Sequence, residues 1–454
     1  MGISEDHWPT AEKWIEILRD RKRTTNMNNK ILDLILSRDN LNEAFKQVKK
    51  NKGSAGVDNM SIDETFIFIK EHKKEIVRAI KGRKYTPKPV LRVEIPKPNG
   101  GTRLLGIPTV IDRVIQQAIV QVLTPIFDPT FHENSFGFRP GKNAQGAILK
   151  FLEYCNEGYN WVVDIDLESF FDRVNHDRLM NLVSRKVHDG DIISLIRKYL
   201  VSGVMVDGKF YETRVGTPQG GNLSPLLSNI MLNELDTELE NRGLRFVRYA
   251  DDCVIMVKSD FAARRVMRSI TRFIESKLGL KVNTTKSKVT KPDDPDMKFL
   301  GFGFYYHEKE QIYKALPHTK SVEQFKYNLH KLSRRNWGVS MSYRLSKLNQ
   351  VIRGWVNYFK IGSMKKVLSR ITSHLRFRLR MCIWKQWKTG KNRVKSLIKL
   401  GMSPYWAHIN GNSSKGVARI ASSWVMHTTV TNKILAQKGL VSPYEYYLNQ
   451  VHVT

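Results

Sequence analysis

The chain has 454 residues, of which 75 are Lys or Arg and 43 are Asp or Glu, for a formal net charge of +32. With 41% apolar and 10% aromatic residues it can build packed cores, which excludes wholesale disorder. Self-repulsion at +32 destabilises a compact state, so the composition points away from a metabolic enzyme and toward a polyanionic partner: nucleic acid first, an anionic membrane second.

From residue 30 to 85 the apolar spacing predicts helices, with Leu41, Ala44, Phe45 and Val48 on one face, broken at Gly53-Ser54-Ala55-Gly56. Residues 91–109 read as two extended runs joined by Asn99-Gly100-Gly101, a hairpin signal. A helix is expected from Asp112 to Phe127 and a strand from Trp161 to Leu167, then helical stretches to about Tyr199. Asn222 to Arg242 reads as a helix and Phe246 to Val257 as a strand pair. Arg264 to Leu278 reads as a helix and Lys298 to Tyr306 as a strand; beyond Pro317 the pattern turns helical. This order predicts an α+β region followed by a mostly α region. No run reaches the ~20 apolar residues of a bilayer span, and the N-terminus has no apolar signal core. Cys155, Cys253 and Cys382 lie far apart without a CxxC pair, which predicts buried thiols in a reducing cytoplasm and no zinc module.

The charge is uneven. From Lys320 to Thr454 there are 25 Lys and Arg against two acids, Glu323 and Glu445, so this stretch carries +23 of the +32. It also holds six of the nine tryptophans. One reading is a helical bundle with Trp inside and cations outside; the other is a surface that tracks phosphates and stacks on bases. Both can hold together, and the missing acids favour nucleic-acid binding over a merely solvated face, which mixes signs.

Two acidic stretches carry chemistry. In FVRYADDCVIMV, apolar runs flank adjacent Asp251 and Asp252, so a hairpin would put both carboxylates at its tip, a costly pairing without a cation. In WVVDIDL, Asp164 and Asp166 share one strand face, a local conflict expected at functional sites. Carboxylates from two neighbouring strands can hold two Mg²⁺ ions for in-line phosphoryl transfer. Lys97 and Arg103 bracket the NGG turn and could close over a triphosphate. GTPQGGNLSP, residues 216–225, is a Gly-rich loop opening a helix and allows close backbone approach to a nucleotide.

These motifs, with SFGFRP between the NGG segment and WVVDIDL and with KFLGFGF after them all, resemble the bacterial group II intron-encoded reverse transcriptases, or maturases, from about Asn40 to the C-terminus and in family order. The resemblance implies a right-hand polymerase: fingers, a palm on an RRM-like antiparallel sheet, a helical thumb and a small, mostly helical C-terminal domain. The implied domains are an N-terminal extension (1–30), fingers and palm (31–313), thumb (314–395) and a maturase or DNA-binding domain (396–454). It implies catalysis by Asp166, Asp251 and Asp252, with Leu167 joining them in the metal set. Asp166 is preferred to Asp164 because Phe171-Asp172 follows it at the family spacing. Phe171 would be the steric gate against a ribose 2′-OH, Lys97 and Arg103 the triphosphate clamp, Gln219 the residue beside the incoming nucleotide and Lys286 the lysine near the leaving group. Leu300-Gly301-Phe302 resembles the primer grip. The implied cofactor is a pair of Mg²⁺ ions, with Mn²⁺ as a substitute. The implied partners are template RNA, DNA primer, dNTPs, group II intron RNA and target DNA, without a membrane and with the oligomeric state open. The chain has no paired-CxxC nuclease motif, so it resembles the endonuclease-lacking subclass. Two other readings share these motifs: an RNA-folding maturase without polymerisation, and an intron-independent relative in DNA repair or phage defence.

Overall fold

Side-chain caps set where the first helices begin. The computed structural model describes residues 30–96, 102–217 and 220–451, and divides into two compact units, residues 1–290 and 291–454. In the first unit α1 (Lys30–Ile35) precedes α2 (Arg38–Asn51), whose N-cap Ser37 accepts from the Asn40 amide. Helix α3 (Ile62–Lys81) opens on a full capping box, Ser61 with Glu64. Strands β1 (Val90–Pro96) and β2 (Thr102–Ile107) pair antiparallel from Leu91↔Ile107 to Pro96↔Thr102. The expected NGG turn between them lies outside the described residues.

Helix α4 (Val110–Phe127) is capped by Thr109 and buried along most of its length. It corrects one expectation: the window from Val110 to Thr130 is long and apolar enough to cross a membrane, although 72% of it is buried inside the protein. Its neighbours explain the apolarity, because α1, α2, α3 and a later helix all pack on it.

Next come α5 (Ala144–Asn156), β3 (Trp161–Ile165), α6 (Phe170–Arg173), α7 (His176–Ser184) and α8 (Gly190–Leu200). Strands β4 (Val204–Val206) and β5 (Lys209–Tyr211) form a hairpin that sequence reading missed. Its signal was Asp207-Gly208, whose φ values of 47° and 78° suit a two-residue hairpin turn. β4 joins β1 in parallel, completing a four-stranded sheet in the order β2-β1-β4-β5.

The second sheet follows from α9 (Ser224–Asn241), β6 (Arg245–Tyr249), β7 (Asp252–Val257), α10 (Asp260–Phe273) and β8 (Lys288–Thr290). Its order is β6-β7-β3-β8, antiparallel throughout. Ile165, Phe246, Ile255, Val257 and Ile270 join the core it shares with α4, α9 and α10.

In the second unit β9 (Phe302–His307) and β10 (Ile312–Pro317) form an antiparallel hairpin, of which only the first strand was expected. Three long helices follow: α11 (Thr319–Leu332), α12 (Met341–Phe359) and α13 (Lys365–Gln386). Six shorter ones complete the unit: α14 (Gly390–Lys399), α15 (Pro404–Gly411), α16 (Val417–Ala421), α17 (Trp424–Thr429), α18 (Asn432–Gln437) and α19 (Pro443–Val451).

Packing divides the tryptophans of the basic stretch between core and surface. Trp384 is fully buried and Trp355 stacks on Phe325 at 4.3 Å, whereas Trp406 and Trp424 are about half exposed and meet edge to face at 5.8 Å. Some of the cations are interior fasteners. Arg344 is buried and donates to the carbonyls of Leu332, Arg334 and Trp337, tying α12 to the end of α11. The three cysteines are buried free thiols, as expected.

Candidate active site

Strand β7 is buried at every position from Cys253 to Val257, so its first residue, Asp252, is the point where the chain meets solvent. The ladder pairs Tyr249 with Asp252 and leaves Ala250 and Asp251 as a two-residue turn. Ala250 has φ 56°, a left-handed conformation that costs a residue with a Cβ. Something must hold that turn in place.

Arg248 does so from below. Its Nη1 donates to the Ala250 carbonyl at 2.9 Å and to Asn229 Oδ1 at 3.0 Å. Its Nε and Nη2 form a bidentate pair with Asp236 of α9 at 2.7 and 2.5 Å, and both partners are fully buried. The SFGFRP segment braces the hairpin from the side. The Phe136 amide donates to the Arg248 carbonyl at 2.8 Å, and the Arg248 amide donates to the Asn134 carbonyl at 2.9 Å. Asn229 Nδ2 donates to the Gly137 carbonyl at 2.9 Å. A Cβ at position 137 would stand 2.2 Å from the Ala250 nitrogen, so only glycine fits. Gly137→Ala is therefore expected to cost about 1–3 kcal/mol by overpacking, read as a lower melting temperature, and to slow catalysis by displacing the turn. An unchanged melting curve would remove this role from Gly137.

Asp164 lies inside β3, opposite Val254 on β7 and Lys288 on β8. Burial, then the carboxylates of Asp252 and Asp166, push its pKa up to about 7 against the pull of Lys288. The strand ends at Ile165, two residues before the expected limit. There the chain leaves β7 for the segment around residues 281–287. The Asp166 amide donates to Ser287 Oγ at 3.0 Å, and the Asp166 carbonyl accepts from the Asn283 amide at 2.8 Å. The last ladder pair is Ile165 with Cys253, so Asp166 follows it on one chain segment and Asp252 precedes it on the other. Lys286 Nζ lies 3.4 Å from Asp166 Oδ2 and supplies a counter-charge.

Among the described residues, no three Asp, Glu, His or Cys side chains are gathered as a ready metal cage. The donor chemistry still fits a hard divalent cation. Asp166, Asp251 and Asp252 offer only oxygen donors, and the mutual repulsion felt at Asp164 is what such an ion relieves. The Leu167 side chain is buried, so only its main-chain oxygen could join them. That oxygen takes no part in the two hydrogen bonds of the Leu167–Val282 bridge, which run from Asn283 to Asp166 and from Glu168 to Lys281.

A cleft of ≈ 430 Å³ is lined by Phe171, Gly216 and Thr217 together with Arg92 and Leu104 of the β1–β2 sheet. The Gly-rich loop is strapped to the chain beside Phe171. The Thr217 amide donates to the Phe171 carbonyl at 2.6 Å and the Gly216 amide to that of Val174 at 2.8 Å. Buried His176 Nε2 reaches the Gly216 carbonyl at 2.6 Å. Gly216 has φ 90°, and a Cβ there would meet the Phe171 oxygen at 2.9 Å.

Lys97 and Gln219 lie outside the described residues. Arg103 sits in β2 opposite Ile95, and only its main chain is described. Leu300-Gly301-Phe302 belongs to the second unit, where Leu300 and Gly301 have positive φ and turn the chain between paired Phe299 and Phe302. The Leu300 carbonyl accepts from Tyr358 Oη at 2.9 Å. The sequence reading missed Arg248, Asp236, Asn229 and Gly137. An arginine inside an apolar strand beside two aspartates was the available signal.

An antiparallel sheet that presents acids from two adjacent strands, next to a cleft edged by a Gly-rich loop, defines the palm of a nucleotide-polymerising enzyme. The sequence profile of "Reverse transcriptase (RNA-dependent DNA polymerase)" matches residues 95–304, and that of "Group II intron, maturase-specific domain" matches residues 322–401. Protein YkfC of Escherichia coli (strain K12) is 33% identical over 302 residues, 58% of this chain and 77% of its own. Group II intron-encoded protein LtrA of Lactococcus lactis subsp. cremoris is 30% identical over 324 residues, 57% of this chain and 54% of its own. The putative COX1/OXI3 intron 2 protein of Saccharomyces cerevisiae is 28% identical, over 62% of this chain and 40% of its own. The match to LtrA thus spans about half of that protein's length. The chain belongs to the group II intron reverse transcriptase and maturase family, and its α+β fold is that of the right-hand, RNA-directed DNA polymerases.

Proposed function

We propose that this protein extends a DNA primer with dNTPs on an RNA template by two-metal phosphoryl transfer, and that it binds group II intron RNA to assist splicing and retrohoming into target DNA. The observation that carries the catalytic half is the acidic end of the β3–β7 pair, where the carboxylates of Asp252 and Asp166 both act on the buried Asp164. RNA binding alone has no use for clustered acids in a chain of net charge +32. Asp166, Asp251 and Asp252 would hold two Mg²⁺ ions, which when bound activate the primer 3′-hydroxyl and neutralise charge developing on the triphosphate. Lys97 and Arg103 would hold the triphosphate, Gln219 would sit beside the incoming nucleotide, and Lys286 would face the departing pyrophosphate. The maturase-specific match and the acid-poor second unit support the RNA-binding half.

The test is primer extension by the full chain on an annealed RNA template with dNTPs and Mg²⁺. Extension to the template end is expected, and its absence would sink the catalytic reading. Splicing of a group II intron RNA, with and without the protein at low Mg²⁺, tests the other half.

Phe171 meets Phe170 edge to face at 5.2 Å while facing the cleft. If its ring excludes a 2′-hydroxyl, Phe171→Val raises ribonucleotide relative to deoxyribonucleotide incorporation by about 10- to 100-fold, the scale of a steric pocket change. The ratio of kcat/KM values for the two nucleotides measures it, and an unchanged ratio removes the gate from Phe171.

A further inference from the structure

Within the second unit, α11 and α13 enclose a groove crowded with like charge. Two cavities of ≈ 500 and ≈ 590 Å³ share His330 and Arg378 and so run into one another. The first is edged by Lys326 and His330 of α11 and by Arg370, His374 and Arg378 of α13, over an apolar floor. The second continues past Arg334, Arg335 and Lys385 toward Ala418 of α16. No acid lines either cavity among the described residues.

The groove is built rather than incidental. Arg378 Nε donates to Ser333 Oγ at 2.7 Å and Nη2 to the Ser333 carbonyl at 3.2 Å, so the last turn of α11 fixes this cation without a carboxylate. The positive potential registers on both imidazoles. Arg378 first, then burial and Arg334, hold His330 below its ordinary value. Burial, then Arg378, His330 and Lys326, hold His374 below its own. A polyanion relieves this crowding and a polycation worsens it.

We propose that the α11–α13 groove is a phosphodiester-backbone site, and that His330 and His374 take up protons as a strand binds. The inference rests on the nucleic-acid reading above and gives it a location. In the free protein both imidazoles titrate below about 6.5 and are neutral at about pH 8. Phosphate beside them favours the charged form and raises both values. Affinity therefore climbs as the pH falls, and the histidines contribute nothing at the alkaline end. Glu323, one turn before Lys326 on α11, lines neither cavity.

The experiment measures binding of the full chain to a labelled RNA-template/DNA-primer duplex and, separately, to a folded RNA without primer. With Lys326→Ala/Arg370→Ala, both at exposed positions, the slope of log affinity against log salt is expected to fall by about 1 for each phosphate no longer neutralised. With His330→Gln/His374→Gln, affinity at about pH 8 is expected to match the unmodified chain, while the rise toward about pH 6 flattens. The ligand whose binding responds identifies the source of the backbone. Unchanged salt slopes for both ligands, or a pH profile that survives loss of both histidines, would overturn the proposal. Primer extension judges the polymerase reading separately. Extension without groove-dependent binding counts against the groove alone, and groove-dependent binding without extension counts against the polymerase alone.

Discussion

Asp252→Ala lowers primer extension on an RNA template by about 10³-fold, equivalent to about 4 kcal/mol of transition-state charge stabilisation. The residue begins a strand that is otherwise buried, and it stands exposed at the mouth of the site. Its replacement should leave stability within about 0.5 kcal/mol, as for other exposed positions. Loss of activity at constant melting temperature and constant RNA affinity thus separates a metal ligand from a structural turn residue. Asp166→Ala should fall equally far, although its Lys286 partner is then left without the carboxylate that lies 3.4 Å away. A chain that keeps a tenth or more of its activity after loss of Asp252 would put catalysis elsewhere.

The parts of this site that were legible in the sequence are those written within a few residues of one another. Apolar arms around Asp251-Asp252 announce a hairpin, and the structure places a two-residue turn at Ala250-Asp251. Asp164 and Asp166 share a strand face by periodicity, yet sequence could not foresee that β3 ends between them. That end is set by Ser287 and Asn283, more than a hundred residues downstream, which capture the Asp166 main chain. Lys286 reaches Asp166 by the same long-range closure. The β4–β5 hairpin was missed although Asp207-Gly208 marks it, because its strands are three residues each and show no alternation to count. The tryptophans of the basic stretch left two readings open, and only packing separates Trp384 inside from Trp406 and Trp424 outside. The pair Arg248–Asp236 was the least visible of all. Its members sit on a strand and a helix, and nothing local distinguishes a buried aspartate on α9 from a solvated one.

That pair supports the second large prediction. Arg248→Met leaves the Asp236 carboxylate buried and unpaired and is expected to destabilise the protein by about 3–5 kcal/mol. At about 2–4 °C for each kcal/mol, the transition involving this region should fall by roughly 10 °C. Replacing both partners, Arg248→Met with Asp236→Leu, removes the stranded charge and should recover most of the stability, because a well-packed apolar pair is often neutral in place of a buried ion pair. Activity should not recover with it. Arg248 Nη1 also holds the carbonyl of Ala250, whose φ of 56° is kept by its surroundings rather than by its own preference. The double variant loses that hydrogen bond and the one to Asn229, so Asp251 and Asp252 are carried on a looser turn. Turnover should drop while the KM for dNTPs holds, since the cleft beside Phe171 and Thr217 is built from other elements. A double variant as active as the original chain would reduce the pair to a purely structural fastener. A stable chain with slow turnover and unchanged KM is the outcome expected if the buried arginine sets the geometry of the acids above it.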